Sequence, residues 1–482
     1  MAWFLIEPAG AASSGDPRDC STVKSALRLS LLLALAVAMH SARTDGAEYR
    51  VGPGEQLATP DRVPWQSLQP GDTVSIAWRP QPYHSKFVLA RRGRPNAPIT
   101  IQGIPGPAGE RPVLDGKNAI APPTLDDWAG ERGIIKVGPL RDAPDAVPGH
   151  LVIENFEIRN ARPGSFFASR QGLLQYSEAA SAIYVERGDH VTVRNCVLHD
   201  CGNGFFTAFE TAEILLEGCH VYDNGIADSI YQHNAYTESA GIVFQGNRFG
   251  PLREGARGNN IKDRSAGLVI RYNWIEGGNR QLDLVDAEEG DAIRRDPRYD
   301  RAYVYGNVLI ETAGSGNNQI VHFGGDNGPE QTFRHGPLYF FNNTVVSRRS
   351  DKTCLLRLST NDVRARVFNN ILLTTADGSL LSILDETGVV ELSNNVLKPD
   401  WRHSHGDLRG VIRIDSNLET RDPVVSDVDE HDFRPSAGWP AIDRGAPVPE
   451  GHSLDKQFRM PQGAELRPNT GPPDVGAFEY AP

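Results

Sequence analysis

Residues 340–345 read FFNNTV, and close copies of this phrase recur along much of the chain. Each copy has an apolar residue, a small or polar pair, and then apolar residues again. The copies are IENFEI (153–158), VRNCVL (193–198), LEGCHV (216–221), FQGNRF (244–249), IRYNWI (270–275), VYGNVL (304–309), FFNNTV (340–345), VFNNIL (367–372) and LSNNVL (392–397). We call the fourth residue of each copy its anchor. Successive anchors are 40, 23, 28, 26, 34, 36, 27 and 25 residues apart, and a period in the twenties that is lengthened by loops indicates a solenoid.

The anchors are Phe156, Cys196, Cys219, Asn247, Asn273, Asn307, Asn343, Asn370 and Asn395. The phrases are rich in Val, Ile and Phe, alternate with period two and are bounded by Gly, Asn and Asp, which favours strands over helices. Stacked coils of a parallel β-helix lie about 4.8 Å apart, so inward Asn side chains could bond from coil to coil and satisfy their buried amides. The sequence therefore predicts an all-β, single right-handed parallel β-helix. A β-propeller is the alternative, but its repeats are longer, at about 40 residues or more.

The chain has five cysteines, too few for a disulfide scaffold, and no CxxC pair of the kind common in zinc sites. Cys20 lies in the N-terminal leader. Cys196 and Cys219 occupy the same anchor position in neighbouring coils, so they could either stack as small apolar groups or form a disulfide. We favour stacking.

The N-terminal segment has the features of an export signal. Lys24 and Arg28 precede the apolar run of residues 29–39, and small residues follow at Ser41, Ala42 and Ala47. The run is shorter than an ordinary membrane span, although an amphipathic membrane anchor is the alternative. We therefore expect a periplasmic or secreted protein, with no membrane span after the leader is removed.

The net charge of −12 and the lack of a basic run argue against nucleic acid as a partner. An acidic protein can still bind an acidic polymer through a local basic site. We expect a polysaccharide, and most simply an acidic one, as the partner of a monomeric protein.

Two flanking segments resemble known end pieces of such folds. GDTV (71–74), PITIQG (98–103) and PVLDG (112–116) resemble the opening coils of the pectate-lyase-like superfamily. GWPAIDRG (438–445) and PPDVGAFEY (472–480) resemble a closing phrase of secreted bacterial β-helix proteins. The implied organisation is a leader at 1–47, an N-terminal cap with first coils at 48–150, main coils at 151–400, and C-terminal coils with a closing cap at 401–482, because a solenoid must protect its open ends.

Ionisable residues follow six consecutive anchors at an offset of 13 to 15 positions. They are Glu210, His233, Lys262, Asp286 together with Glu288, His322 and Arg357. In a regular coil, equal offsets lie on one line parallel to the axis, so these residues could form a functional wall. A solvated charged face is the alternative interpretation.

Three neighbouring segments concentrate the polar residues: SIYQHNAYTES (229–239), RGNNIKDRSAG (257–267) and GGNRQLDLVDAEEGD (277–291). Lys262 and Arg264 alternate, so they would share one face of a strand. Crowded opposite charges shift pKa values and mark a candidate site, although an exposed ladder of ion pairs is the alternative.

These groups suit β-elimination from a uronate polymer. A base must remove the proton beside the carboxylate, an acid must protonate the leaving oxygen, and a cation must stabilise the developing charge. If cations flank Lys262, it would lose its proton more easily and could act as the base. We predict catalytic roles for Lys262, Arg264, His233 and Tyr236, and substrate binding by the set Asn234, Arg280, His322 and Arg357. Asp283, Asp286 and Glu288 would orient these groups or hold Ca²⁺.

The stretch of residues 258–286, GNNIKDRSAGLVIRYNWIEGGNRQLDLVD, resembles the core coils of the chondroitinase-B and alginate-lyase family of β-helix enzymes. The resemblance implies that Lys262 is the base. Two departures stand out: Leu282–Leu284 replaces the family's Arg-His-Gly phrase, so Arg264 or Arg280 would have to substitute, and Arg257 and Gly258 stand where calcium-binding glutamates are expected. The chain also resembles a group of uncharacterised bacterial β-helix repeat proteins over most of residues 150–440.

Other functions stay open on the sequence. A glycoside hydrolase needs two carboxylates, which Glu210, Asp283, Asp286 or Glu288 could supply, whereas the adjacent Asp126 and Asp127 precede the main coils. A C5 epimerase would use the same acid and base as a lyase. A non-catalytic binding protein would favour exposed aromatic residues, for which Tyr231, Tyr236 and Trp274 are available. No Ser-His-Asp phrase stands out, so the sequence gives little support to an esterase.

Overall fold

The computed structural model describes residues 46–126, 129–314, 316–326, 328–421, 425–468 and 471–481. The chain winds into coils whose strands pair in parallel with the strands of the next coil. This arrangement confirms the predicted solenoid and differs from the antiparallel blades of a propeller. Residues 1–45 of the proposed leader and the second residue of the Asp126–Asp127 pair lie outside the described residues. No helix in the described ranges is long and apolar enough to cross a bilayer.

Each coil contributes strands to three sheets, which we call the groove sheet, the back sheet and the anchor sheet. The two long strands Ser181–Arg194 and Asn203–Glu217 bend and contribute to both of the first two sheets. The groove sheet otherwise contains Phe87–Leu89, Gly133–Val137, Ala235–Thr237, Ile261–Asp263, Leu282–Leu284, Gln319–Phe323, Lys352–Leu358 and Leu380–Leu384. The back sheet otherwise contains Glu48–Val51, Thr73–Ala77, Ile99–Ile104, Gly149–Glu154, Ala240–Gln245, Ala266–Arg271, Ala302–Tyr305, Leu338–Phe341, Arg364–Phe368, Val389–Ser393 and Val411–Asp415.

The anchor sheet consists of short strands, most of which begin directly after an anchor. They are Val113–Asp115, Glu157–Arg159, Val197–His199, His220–Tyr222, Arg248–Phe249, Trp274–Glu276, Val308–Glu311, Thr344–Ser347, Ile371–Thr374, Val396–Leu397 and Leu418–Glu419. Two small antiparallel pairs lie outside the coils, Phe166–Ser169 with Gly172–Gln175 (the former also pairing with Ala119–Ile120) and Lys456–Phe458 with Ala464–Leu466. Helical structure in the described residues is limited to an α-helix at Asp291–Arg294 and 3₁₀ turns at Pro60–Arg62, Trp65–Ser67, Gly130–Arg132 and Glu330–Thr332.

The repeated phrase forms the sharp bend between the back sheet and the anchor sheet. The residue before the anchor has a positive φ in every coil from Asn155 onwards, for example 65° at Asn155, 64° at Gly306 and 57° at Asn369. Gly and Asn tolerate this left-handed conformation better than other residues. The backbone conformation therefore favours Gly or Asn directly before the anchor. The hydrogen bonds inside the helix favour Asn at the anchor itself.

The predicted Asn ladder is present in the interior. From Asn247 onwards, the Oδ1 of each Asn at the anchor position accepts the backbone N–H of the preceding anchor at 2.8–3.1 Å. It also accepts the Nδ2 amide of a preceding Asn at 2.9–3.1 Å. The ladder runs from Asn247 to Asn395 and extends one coil further, to Asn417, which follows the last of the nine phrases. It satisfies amides that would otherwise be buried without partners.

The four described cysteines are free and buried, which confirms stacking rather than a disulfide for Cys196 and Cys219. The backbone N–H of Cys196 lies 3.5 Å from Cys219 Sγ, at the position that the amide oxygen takes in the later coils. Burial raises the pKa of the Cys201 and Cys354 thiols to about 12. These thiols are therefore packing groups rather than reactive ones.

The two ends of the helix differ in how well their apolar side chains are covered. At the N-terminal end, Trp65 is fully buried and stacks on Phe87 with ring centroids 4.0 Å apart. At the other end, Val411 and Ile414 in the last back-sheet strand remain about half exposed. The described residues after 424 run back along the side of the helix, and we call them the strap.

The strap is held by main-chain and aromatic contacts. Gly476 N donates to Asn369 O at 2.8 Å, and Gly463 N donates to Gly246 O at 2.7 Å. Trp274 is buried beneath the strap and stacks on Phe433 with ring centroids 5.3 Å apart. Trp274 therefore belongs to a core, and its predicted role as an exposed binding aromatic is wrong.

Candidate functional site

A column of functional side chains crosses the outer face of the groove sheet. Register pairs Tyr236 with Lys262, Lys262 with Asp283, Asp283 with His322, and His322 with Arg357. Because paired residues of neighbouring parallel strands lie about 4.8 Å apart, these five residues form one line along the helix axis. Tyr184 and Phe206 continue the line toward the N-terminus.

The structure brings the predicted wall together but changes some of its members. Lys262, His322 and Arg357 lie in the column. Glu210 does not, because Phe206 takes that coil's place and Glu210 forms an ion pair with Arg187 beyond the bend. His233 and Asp286 lie beside the column, and Tyr236 and Asp283 occupy their coils' positions in it.

Three adjoining clefts run along this column and together form a groove. The basic cleft, about 430 Å³, is lined by Arg257, Asn259, Lys262, Arg280, Asp283, His322, Asp326, Arg357 and Ser359 among others. The central cleft, about 420 Å³, is lined by Arg132, Phe206, Tyr231, His233, Tyr236, Lys262, Arg264, Glu288 and Asp326 among others. The acidic cleft, about 300 Å³, is lined by Arg132, Tyr184, Glu186, Phe206, Glu210, Tyr236, Glu238, Glu288 and Glu289 among others. Shared residues connect the clefts, so the groove is continuous.

Lys262 lies between the basic and central clefts, and its ammonium contacts two carboxylates. Nζ is 2.8 Å from Asp283 Oδ2 and 2.5 Å from Asp326 Oδ2, and the Lys262 side chain is only 12% exposed. The charged groups in contact with this amine are therefore carboxylates, and the expectation that cations flank it is wrong. The two ion pairs fix the position of Nζ on the groove floor.

Asp283 is the centre of a buried hydrogen-bond network. Its Oδ2 accepts from Lys262 and from the Asn259 amide at 2.8 Å, and its Oδ1 accepts from His322 Nδ1 at 2.8 Å. Burial opposes ionisation of this carboxyl, but the bond from His322 and the charge of Lys262 outweigh it and hold its pKa well below the usual range. Asp283 is therefore an ionised acceptor at neutral pH.

The proposed calcium ligands do not fit a metal site. Asp286 accepts the backbone N–H groups of Asp326 and Gly328 at 2.8 Å, and Glu288 accepts the Tyr236 hydroxyl at 2.9 Å. Asp283, Asp286 and Glu288 thus have separate protein partners, and among the described residues they do not gather around a common point. A calcium ion requires several oxygens that converge on it, and these three carboxylates do not present such a set.

Arg264 is fully buried beneath the central cleft, where it organises the acid–base groups around it. Its Nε donates to the Tyr236 hydroxyl at 3.1 Å, and its Nη2 is 3.1 Å from Asp326 Oδ1. Burial raises the pKa of Tyr236 well above its usual value, even though the charge of Arg264 opposes this rise. Tyr236 therefore remains a protonated phenol at neutral pH, and Arg264 is placed to stabilise its oxygen if the proton leaves.

His233 is a neutral residue of the central cleft. Burial, followed by the charge of Lys262, lowers the pKa of His233 to about 3. Its Nδ1 accepts the backbone N–H of Asn259 at 2.9 Å, so the neutral ring carries its proton on Nε2. The geometry makes His233 a hydrogen-bond donor rather than a proton acceptor.

Asn234 lies inside the helix rather than in the groove. It is fully buried, and its Nδ2 donates to Asn260 Oδ1 at 2.8 Å while its Oδ1 accepts from Asn224 at 3.0 Å. These three residues form a second, shorter amide ladder. The prediction that Asn234 binds substrate is therefore wrong, because no polymer in the groove could reach it.

Arg280 and Arg357 supply positive charge at the far end of the basic cleft. Arg280 is mostly buried, bonds to Gln319 Oε1 at 2.8 Å and lies 3.9 Å from Asp283 Oδ1. Arg357 is exposed and has no carboxylate partner in the part of the chain that the structure describes. Both arginines are placed to meet an anionic ligand.

Sequence reasoning missed Asp326, Ser359 and Arg132. Asp326 lies in the loop after strand Gln319–Phe323, and Ser359 directly follows strand Lys352–Leu358. The adjacent glycines at 324 and 325 were the available signal in the sequence, because glycine allows other groups to approach the backbone closely. Asp126, by contrast, pairs with Arg141 and Arg170 and does not line the three clefts.

Comparison with known proteins agrees with this architecture. The family model described as "Right handed beta helix region" matches residues 148–322, the coils that carry most of the site. The chain is a right-handed parallel β-helix protein. No curated protein sequence matches this β-helix protein.

Solved structures similar to this β-helix protein include an alginate lyase from Paenibacillus sp. str. FPU-7, with 12% identity, a TM-score of 0.43 and coverage of 71% of this chain and 95% of that one. A GH136 lacto-N-biosidase from Eubacterium ramulus has 12% identity, a TM-score of 0.48 and coverage of 83% and 72%. PfbA, a surface adhesin of Streptococcus pneumoniae, has 10% identity, a TM-score of 0.42 and coverage of 72% and 84%. At these identities and TM-scores the likenesses carry no argument about function, which must be drawn from the groove itself.

Proposed function

We propose that this protein is an exported polysaccharide lyase that cleaves a uronate-containing glycan by β-elimination. The observation that carries the proposal is the groove: four cations line its basic cleft in a protein of net charge −12, and Tyr236 and Lys262 are register neighbours on its floor. The column from Tyr184 to Arg357 crosses seven coils, which corresponds to roughly 30 Å. A groove of this length suits a polymer rather than a single sugar.

The basic cleft accounts for the acidic substrate. Arg257, Lys262, Arg280 and Arg357 outnumber the two carboxylates Asp283 and Asp326. Guanidinium groups bind carboxylates through paired hydrogen bonds. Arg280 and Arg357 would therefore hold the carboxylate of one sugar while its neighbour lies over Lys262 and Tyr236.

Lys262 is the base in this proposal. Its amine must first give up a proton, and Asp326, which contacts Nζ and whose side chain is 25% exposed, would be the outlet for it. The neutral amine then takes the proton from the carbon beside the uronate carboxylate. Arg264 and the Nε2–H of His233 lie in the same cleft and would stabilise the charge that develops on that carboxylate.

Tyr236 is the acid. Its hydroxyl gives its proton to the departing glycosidic oxygen as the carbon–oxygen bond breaks and the new carbon–carbon double bond forms. Arg264 stabilises the phenolate that results, and the Lys262 ammonium restores the phenol by proton transfer. A hydrolase is less well supported, because Asp283 is held ionised by its partners and cannot serve as the acid.

The test is to incubate the purified full chain with alginate, polygalacturonate and chondroitin. We expect new ultraviolet absorbance from unsaturated uronates together with new reducing ends. Reducing ends without absorbance would indicate a hydrolase, altered uronate stereochemistry without cleavage an epimerase, and binding without either a binding protein. Each of these three results contradicts the lyase.

Two variants examine the assigned roles. We expect Lys262→Ala and Tyr236→Phe each to lower kcat by about 10²–10⁴-fold, the usual contribution of a positioned acid or base. Circular dichroism and the unfolding midpoint would show whether each variant keeps its fold. Lys352→Ala removes an exposed lysine from the same sheet and is the matched control, which should keep full activity. Turnover retained in Lys262→Ala would remove the base assignment.

A further inference from the structure

A second chain of hydrogen bonds starts at Asp283 and leads away from Lys262. Asp283 Oδ1 lies 2.8 Å from His322 Nδ1, and His322 Nε2 lies 3.0 Å from Ser359 Oγ. The three residues come from three consecutive coils, so they are separated in sequence by 39 and 37 residues. This wide spacing explains why no Ser-His-Asp phrase can be found in the sequence.

The hydrogen-bond pattern assigns the protons. Asp283 is ionised, so His322 Nδ1 carries a proton and donates it to that carboxylate. Burial lowers the pKa of His322, against the opposing effect of Asp283, so the ring is neutral and its Nε2 lone pair faces the Ser359 hydroxyl. These are the protonation states that a serine nucleophile and its general base require.

Ser359 packs so closely against Gly324 that no larger residue would fit at position 324. Gly324 has a φ of +131°, and a Cβ at this position would lie 2.6 Å from Ser359 Oγ. The Gly325 backbone N–H donates to Ser359 Oγ at 2.9 Å, and this bond would stabilise negative charge on the oxygen. The hydroxyl can also donate to Gly325 O, at 2.8 Å, so this carbonyl competes with His322 Nε2 for the hydroxyl proton.

Arg357 supplies a positive charge in the same cleft as Ser359. It precedes Ser359 by two residues, and both side chains line the basic cleft. Its guanidinium has no carboxylate partner among the described residues. It is therefore free to stabilise an oxyanion or to bind an anionic group next to the reacting bond.

We propose that Ser359, His322 and Asp283 form a serine esterase centre that hydrolyses a carboxylic ester carried by an acidic glycan. Only the choice of glycan ester rests on the proposed function; the hydrolytic centre itself does not depend on β-elimination. The ester is either an O-acyl group on a sugar hydroxyl or the methyl ester of a uronate. Both present the same ester carbonyl to Ser359.

The reaction follows from the contacts. Ser359 Oγ forms a bond to the ester carbonyl carbon as its proton moves to His322 Nε2. The carbon–oxygen bond of the ester then breaks, and the alcohol leaves with that proton. Water attacks the acyl-serine with His322 as the base, which releases the carboxylic acid and restores the serine.

The experiment treats the full-length protein with a fluorophosphonate probe and maps the modified peptide by mass spectrometry. We expect the adduct on Ser359, and its formation should be lost in His322→Ala. Acetylated and methyl-esterified polyuronates are supplied in parallel: release of acetate indicates the O-acyl ester, and release of methanol the methyl ester. In Ser359→Ala either release should fall by about 10³-fold or more, since removal of one triad member disables the unit.

Three results would overturn the proposal: no adduct on Ser359, an adduct that forms equally well without His322, or release of neither acetate nor methanol. These readouts do not use uronate cleavage. A failure of the esterase and a failure of the lyase can therefore be told apart. If Ser359 only positioned His322 and Asp283 for the lyase, Ser359→Ala would change the lyase rate while the unmodified protein showed no ester hydrolysis.

Discussion

Two columns of side chains follow the axis of this protein, one inside the helix and one outside. The inner column repeats a single residue, Asn, from coil to coil between Asn247 and Asn417. The outer column changes at every coil, from Tyr236 through Lys262, Asp283 and His322 to Arg357. Both depend on the same register.

The difference shows what each column does. The same bend recurs in each of these coils, and an Asn side-chain amide stabilises it each time. A residue that is repeated from coil to coil in this way has a structural role. Five different chemical groups on one line do not solve a common backbone problem, and their contacts lead from one to the next. Variation within a regular framework is therefore the feature that marks the site.

The largest effect on stability is expected inside. Asn343→Leu leaves the Asn307 backbone N–H and side-chain amide without their acceptor, and it removes the donor to Val304 O. Since each unsatisfied buried group costs about 1–3 kcal/mol, we expect the free energy of unfolding to fall by about 4 kcal/mol in urea titrations. Asn417→Leu, at the half-buried end of the ladder, is the control and should cost clearly less. Equal losses at the two positions would show that the ladder does not act as proposed.

A smaller, pH-dependent effect is expected beside the outer column. The pKa of His233 is about 3 in the folded protein, against about 6.5 in an unfolded chain. The unfolded state therefore binds more protons below pH 6.5, so the stability contribution of the neutral ring is present above that pH and is lost as the pH falls toward 3. Between pH 6.5 and 4 this loss amounts to about 3 kcal/mol.

Urea titrations at several pH values would measure this dependence. Twelve other histidines and the carboxylates also titrate, so the informative quantity is the difference between the original protein and His233→Gln. We expect the variant to have the flatter dependence on pH. Parallel curves for the two proteins would mean that His233 is not buried as a neutral ring.

The smallest effect on stability is expected for Arg357→Ala. This side chain is exposed, and exposed charges contribute little to folding, so the free energy of unfolding should change by less than about 0.5 kcal/mol. Affinity for polygalacturonate, measured by calorimetry, should nevertheless fall, and its dependence on salt should weaken. Unchanged affinity would remove Arg357 from the binding surface.

The sequence predicted the inner column better than the outer one. The anchors, the period of the coils and the stacked amides follow from local rules about bends and buried polar groups, and these were confirmed. The outer column was predicted by a constant offset, which fails where the segment between anchor and groove changes length: Tyr236 is 17 residues after Cys219, whereas Asp283 is 10 residues after Asn273. Lys262, His322 and Arg357 lie where that segment has nearly its average length.

Asp326 and Ser359 could not have been found by the offset, because they come from the ends of strands and the loops beyond them. Asn234 was misplaced for a related reason. It precedes a groove-sheet strand, but its side chain points inward to a second amide ladder, and period two alone does not say which face of a short strand is buried. For Asp283, Asp286 and Glu288, sequence shows the acidic residues but not the protein groups that already bind them.

The strap affects how the folded protein unfolds. A plain stack of coils can unravel from an open end, because each coil touches only its neighbours. Here Gln462 donates to Gly218 O at 2.7 Å across 244 residues, and Gly463 reaches Gly246. Residues 462 and 463 are synthesised after the coils that they contact, so these coils are latched only once this later segment has been made. Fraying of the last coils then does not free the middle of the helix until the contacts of the strap break.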